Sequence, residues 1–398
     1  VVALASRLPW LLFTLPAGVL ADRLDRRHLV AWTDVARATV VAAFALAVWR
    51  FQGDLHTPEQ LASGVQAAPN AQLLLGVLIG VSFGLGCAEV VRDNAAQTLM
   101  ASVVEPYQLE RANGRLWGAE TTMNVFVGPP LGGLLVAFAV ALPFGLNAAL
   151  LATAALLVFS LVGSFKARGA DESTSTGWRA EAAEGFRWLW GHRLLRTLAL
   201  MLAALNLLSA LSTTLLVLFA QEILGLYEGV WFGAVTTGVA AGAVVGSLLA
   251  ERIATRLGPG AALSLSVAGM AATSGVTSLV SSPIAFWVCG LASGVMVMLW
   301  NVITVSLRQR IIPDRLLGRV NSAYRFFGWG FASVGTLLGG VVVATLSPLL
   351  GREWALRTPF LAAGVLGLVL LAIAVRTLTT RRIRDAEQGS AAESAVPS

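Results

Sequence analysis

Eleven apolar stretches of membrane-crossing length, separated by short charged turns, constrain this chain more than any other feature. A helix needs roughly 20 apolar residues to cross the hydrocarbon core of a bilayer. Runs of that order occupy 1–21, 29–50, 72–92, 116–140, 143–165, 197–220, 230–250, 260–281, 284–306, 321–347 and 354–376. Only 13% of the residues are charged, about half the roughly 25% of a soluble domain. The expected fold class is therefore an all-α membrane protein.

The arginines orient it. Of the 28 basic residues, all but Arg7, Arg37, Arg50, Arg352 and Arg357 fall in one alternating set of turns, in the span ends that flank them or in the C-terminal tail. An excess of that size places the set on the cytoplasmic side. The net charge of +6 is thus a topology signal spread over many loops and not a nucleic-acid patch. The segment 52–71 is polar, carries no basic residue and reads as an extracytoplasmic loop. Cys87 and Cys289 lie inside apolar runs and read as small packing residues, while His28, His56 and His192 are far apart and offer no metal-ligand spacing. No metal and no cofactor are expected.

The chain repeats itself. Pro106, Leu109, Gly128, Leu131, Gly132 and Gly133 recur as Pro313, Leu316, Gly335, Leu338, Gly339 and Gly340, each pair at the same separation. Between the halves, 166–196 reads as a linker: a Ser, Thr and Gly cluster over 171–177, then Trp178, Ala182, Phe186, Leu189 and Trp190 at helical spacing. That pattern predicts an amphipathic helix at the cytoplasmic interface. The expected organisation is a bundle over 1–165, the linker over 166–196, a second bundle over 197–380 and a disordered polar tail over 381–398.

One turn carries more than topology. Gly18 to Arg27 reads GVLADRLDRR, with Gly18 four residues before Asp22 and with Arg23, Arg26 and Arg27 following. A glycine there lets two helices approach, an aspartate can accept hydrogen bonds from a helix N-terminus, and the arginines hold the turn at the membrane surface. A degenerate copy, GSLLAERIATR over 246–256, places Glu251 and Arg252 where Asp22 and Arg23 stand. The turn closely resembles the loop signature between the second and third helices of the major facilitator superfamily. The resemblance implies two pseudo-symmetric helical bundles, with a first helix of twelve lying before Val1 and 11 present. It also implies that Asp22 meets the helix beginning at Asn321 to Arg325.

Within the superfamily, the opening RLPWLLFTLPAGVLADRLDRR and the loop PYQLERANGRLWGAE look most like the enterobactin-exporter and drug-efflux branch. The block Gly128, Pro129, Pro130, Leu131, Gly132, Gly133 resembles the end of the fifth-helix motif of drug and proton antiporters, although Asn124 and Arg115 stand where that motif has further glycines. The alternative is a generic small-residue packing face. What the resemblance implies is export of small amphipathic molecules by alternating access, coupled to inward proton flow. The partners are then a small-molecule substrate, protons and the bilayer, in a monomeric, multi-pass protein of the inner (plasma) membrane.

Ionisable groups inside spans are functional candidates by default. Glu89 and Asp93 lie four apart with Arg92 beside them, and Glu120 opens the next long span; all belong near the cytoplasmic mouth. They either load and release protons or form a salt-bridged gate with Arg92, Arg115 and Arg325. Asp34 and Arg37, three apart on one helix, read as a local pair. Leu78, Gly80 and Ser82 occupy the region where many proton-coupled relatives carry an arginine. Nothing in the chain groups His, Cys and Asp for catalysis, so an enzyme is not expected. An importer, or a receptor or assembly subunit, remains the alternative.

Overall fold

The computed structural model describes residues 2–51, 71–163, 165–166, 178–226 and 229–395. The expected loop over 52–71, except Ala71, lies outside the described residues, as do His56 and the linker cluster over 171–177. Everything regular in the described residues is helical. The helices are α1 (Val2–Arg23), α2 (Arg26–Phe51), α3 (Ala71–Val103), α4 (Leu109–Thr121), α5 (Gly128–Phe138), α6 (Leu142–Phe159), α7 (Trp178–Gly191), α8 (Arg193–Thr213), α9 (Leu216–Glu222), α10 (Gly229–Leu257), α11 (Pro259–Thr277), α12 (Pro283–Ile311), α13 (Leu317–Leu350), α14 (Arg352–Thr377) and α15 (Thr380–Ala395). Eight helical stretches among the described residues are long and apolar enough to cross a membrane. Their outer faces are consistent with that: Leu361, Val365, Leu366, Leu368 and Val369 of α14 are all exposed, an arrangement that only an apolar solvent makes inexpensive.

Helix ends follow local chemistry. Pro259 and Pro283 open α11 and α12, where the missing amide hydrogen costs nothing. The stretch expected as one span over 197–220 is divided at Thr213–Leu216. Hydroxyls crowd that break: Ser212 donates to the Pro359 carbonyl at 3.2 Å and Thr214 to the Ala210 carbonyl at 2.8 Å, competing with helix hydrogen bonds. The prolines of the fifth-helix block act one turn upstream. Pro129 and Pro130 have no amide to donate to the Val125 and Phe126 carbonyls, and Thr122–Val127 relax into a π-helical stretch before α5. The tail expected to be disordered is instead helical over Thr380–Ala395 and packs on α8, α11 and α12.

The described chain forms two compact units. Unit 1 comprises 1–103, 128–186 and 314–326. In it α1 and α2 pack on α3, α2 packs on α6, and the 3-10 turn Asp314–Leu316 rests on α1. Ala21, Val30, Ala95 and Leu99 form a buried cluster at the α1–α2 turn. Unit 2 comprises 104–127, 187–313 and 327–398. There α10 packs on α12 and α4, and α11 packs on α12 and α14. Gly238, Gly242 and Gly246 of α10 lie against the Trp287, Leu291 and Val295 carbonyls of α12, so close that a Cβ at any of them would overlap an oxygen. The units therefore do not follow chain order: each includes one short segment from the other half of the sequence repeat.

Candidate functional site

Those two short segments include one equivalent pair of the repeat, Leu109 and Leu316. Pro106–Gln108 form a single 3-10 turn leading into α4, and Asp314–Leu316 form one leading into α13. Each helix start packs against a cytoplasmic turn of its own unit.

In unit 1 the partner is the α1–α2 turn. Gly18 and Gly318 face each other, and a Cβ on either would overlap the other's carbonyl oxygen. That approach brings the Asp22 carboxylate, only 2% exposed, onto the first amides of α13. Oδ1 accepts the Gly318 N–H at 2.7 Å and Oδ2 the Arg319 N–H at 2.9 Å. These are orphan donors at a helix N-terminus, where a negative charge is favoured. The resemblance placed this contact at Asn321 to Arg325; the helix starts four residues earlier because Pro313 ends the preceding segment.

A chain of charges extends from the carboxylate. The Arg319 guanidinium lies 3.5 Å from Asp22 and reaches Glu181 and Glu184 of α7 at 2.7 Å each. Glu181 is buried and also takes Arg23 as a partner. Arg26, fully buried, donates to the Asp314 carboxylate at 2.6 Å and to the Asp314 carbonyl at 2.9 Å. Arg27 donates to the Leu161 carbonyl. Asp25 closes the turn, accepting the Phe165, Arg27 and His28 amides at 3.0, 3.0 and 3.2 Å. Burial is the largest influence on the Asp25 carboxyl and opposes its ionisation, yet those amides hold its pKa below the usual carboxylate value. Glu181 was not singled out in the sequence. The available signal was Glu181, Glu184 and Gly185 on one face of an otherwise amphipathic helix, with Gly185 pressed against Arg319.

Unit 2 contains the degenerate copy. The Ser247 carbonyl of α10 faces Gly114 of α4, and the Ser247 hydroxyl faces Gly118, so here the glycines stand on the opposite partner. Glu251 is 43% exposed at its side chain and lies 3.9 Å from Arg111. A separate polar lock joins α4 to α12: Asn113 donates to Ser306 at 3.1 Å and Gln309 at 2.6 Å, while Arg310 takes Glu110 at 2.7 Å and Glu387 of α15 at 2.9 Å.

Of the intramembrane candidates, the structure brings together Arg92, Asp93 and Arg325 in unit 1. Asp93 lies 3.3 Å from Arg325 and 3.6 Å from Arg92. Arg325 sits over the Trp10 ring at 5.0 Å. Asp34, paired with Arg37 at 3.2 Å as its spacing implied, also lies 3.6 Å from Arg92 and so joins this cluster. Glu89 is exposed on α3. Glu120 is exposed at the end of α4 and, with Arg115, belongs to unit 2. In that unit a cavity of about 320 Å³, lined by Ser212, Thr273, Thr277, Phe286, Cys289 and Phe360 among others, is apolar with scattered hydroxyls and no ionisable side chain apart from the Cys289 thiol.

A sequence repeat, matched turns and long apolar helices are the features of a multi-pass membrane transporter. The chain belongs to the Major Facilitator Superfamily, whose family profile matches residues 2–330. It is 28% identical to the multidrug efflux pump Tap of Mycobacterium tuberculosis strain H37Rv, covering 98% of this chain and 89% of that protein. The Tap pump of Mycolicibacterium fortuitum is 26% identical, covering 93% and 86%. Among solved structures, a bacterial homologue of the iron transporter ferroportin in its outward-facing state matches with a TM-score of 0.68 at 18% identity, covering 94% of this chain and 89% of that one. The transporter FucP in its outward conformation gives 0.67 at 15% identity, covering 95% and 89%. At such identities the two structures speak for the fold alone.

Proposed function

We propose that this chain is a secondary active exporter of small amphipathic molecules, drugs or siderophore-like compounds, working by alternating access in the inner (plasma) membrane. In this reading 1–165 and 197–380 are the two moving bundles, 166–196 links them, and α1, α3 and the α4–α5 pair complete 11 spans with the eight apolar stretches. The observation that carries it is Asp22 bound to the amides of Gly318 and Arg319, because it joins a turn of the first sequence half to a helix start of the second. Such a contact exists in one conformation of a rocking transporter and not in the other, so it sets their balance. The direction, outward, is supported by the similarity to pumps named for multidrug efflux along nearly the whole chain. It is supported also by the Gly128–Gly133 block.

Asp93 with Arg92 and Arg325 acts as a gate in this scheme, and Glu89 and Glu120 carry protons for an antiport cycle. The test is flux of a fluorescent amphipathic compound from proteoliposomes carrying a proton gradient, with and without an uncoupler. Uncoupler-sensitive export, lost in Glu89→Gln or Glu120→Gln while substrate binding persists, is expected. Inward flux would make the protein an importer, and no flux across a panel of such compounds would leave the receptor or assembly-subunit reading.

A further inference from the structure

At the end of unit 2 that the arginine distribution marks as cytoplasmic, Gly191 to Thr197, Thr377 and the start of α15 enclose a hollow of about 670 Å³. Three guanidiniums line it: Arg193 and Arg196 from the first turn of α8, and Arg382 from α15. Among the described residues none of the three has a carboxylate at ion-pair distance. Arg196 and Arg382 donate only to backbone carbonyls, of Trp190 and Arg376, each at 3.1 Å. Asp385 is the single acid in the lining, so the hollow keeps a surplus of positive charge. Four other arginines on this side, Arg23, Arg26, Arg310 and Arg319, are each paired with a carboxylate. The positive-inside tendency accounts for arginines on this side but not for three around one hollow with no carboxylate partner among the described residues.

The surroundings are those of a bilayer interface. Trp188 stacks on His192 at 5.5 Å, and Arg196 lies 6.0 Å from the centre of the exposed Trp190 ring. Above Thr377, α14 exposes Val369 and Ile373, and one turn into α8 from Thr197 stands the exposed Leu200. An anionic head group therefore finds guanidiniums in the hollow, and an apolar tail finds exposed apolar side chains on the packed helices α8 and α14 beyond it. We propose that the hollow is a binding site for an anionic phospholipid of the cytoplasmic leaflet, its phosphate held by Arg193, Arg196 and Arg382 and its acyl chains lying along α14 and α8. Free phosphate shares the guanidinium chemistry but has no use for the apolar stripe.

Native mass spectrometry of the full chain, released from micelles doped with phosphatidylglycerol or with phosphatidylcholine of the same acyl chains, tests this. Phosphatidylglycerol should be retained at least about tenfold more, and retention should fall roughly fivefold for each guanidinium removed. The variants are Arg382→Gln alone, on a helix beyond the last span where membrane insertion is undisturbed, and the Arg193→Gln, Arg196→Gln, Arg382→Gln triple. Arg256→Gln, in the last turn of α10 and not among the residues lining the hollow, should retain the lipid as the wild type does. Equal retention of the two lipids by the wild type, or undiminished retention by Arg382→Gln and the triple variant alike, would overturn the proposal. Inorganic phosphate raising the melting temperature as far as phosphatidylglycerol does would also overturn it, leaving a bare anion site.

Discussion

The two cytoplasmic turns share a plan and differ in what they do with charge. Both set a helix against one that follows a 3-10 turn, at the first turn of α13 in unit 1 and further along α4, at Gly114 and Gly118, in unit 2, and both use glycine for the close approach. In unit 1 the carboxylate goes inward, buried at 2%, with two amides on it and a guanidinium beside it. In unit 2 Glu251 goes outward, 43% exposed, at 3.9 Å from its arginine, a pairing worth little in water. The extra methylene of a glutamate, with Ser247 where unit 1 has Gly18, leaves no room for the inward geometry. Close approach is thus common to both turns while the charged contact occurs in one. We infer that unit 1 holds the state-dependent contact and unit 2 a constitutive packing contact.

The largest effect should come from removing the approach itself. Gly18→Val drives a branched side chain into Gly318 and Ser322, and backbone cannot yield as a flexible side chain can. Transport should fall more than about tenfold. Ser247→Gly, which removes only a side chain, should leave it within about twofold; comparable losses in both variants would erase the distinction between the turns.

Next comes the charge. Asp22→Asn keeps the volume but presents one acceptor and an NH2 group to two amide donors, so one bond is lost and a donor faces a donor. A contact worth about 1–2 kcal/mol in one state alone changes a two-state ratio by roughly five- to thirty-fold. Spin-label distances between the cytoplasmic ends of the two bundles should report that shift toward the inward-open state in Asp22→Asn, and almost none in Glu251→Gln. Unchanged populations in Asp22→Asn would reduce the turn to a topology signal.

A smaller loss is expected at Glu181. Glu181→Gln deprives Arg319 and Arg23 of a shared partner, but Arg319 keeps Glu184 and Arg23 is already 41% exposed. About 1 kcal/mol should go from the closed arrangement, read as a fraction of the Asp22→Asn shift in the same distance measurement. A shift as large as that of Asp22→Asn would mean that α7, and not the helix start at Gly318, holds the turn.

What was legible in the sequence divides along the same line. Span-length runs and turn chemistry located most of the helices and singled out Gly18 and Asp22, which meet Gly318 and Arg319, because both signals are local. Helix breaks were less visible: the division at Thr213–Leu216 depends on a carbonyl 147 positions away, that of Pro359, which no local pattern contains. Asp34 read as half of a local pair and turned out to approach Arg92 from another helix. Glu181 was not singled out, because polar spacing on an amphipathic helix does not tell water from a buried arginine. The polar tail read as disordered, yet α15 docks through the Arg310 to Glu387 bridge and by packing of Gly258 and Gly260 against Thr380 and the Leu378–Thr380 backbone.

The finest distinction between the turns lies three residues past Asp22. Asp25 has Ala254 as its counterpart in the copy, so only the unit 1 turn carries a capping carboxylate with a depressed pKa. A group whose pKa is lowered on folding contributes stability that is fully present above its unfolded value and is lost as the pH falls through the folded value. The unfolded value is about 4, so the contribution should be complete at pH 6 and should disappear over the pH units below 4. Asp25→Asn should cost about 0.5–1 kcal/mol at pH 7, a fall of a few degrees at most in the melting temperature of the detergent-solubilised protein. The wild type and the variant should converge as the medium is acidified, since protonated aspartate and asparagine are equally poor acceptors for three amides. A difference that persists undiminished at pH 3 would show that Asp25 acts through shape rather than charge, and would bring the two turns closer than their sequences suggest.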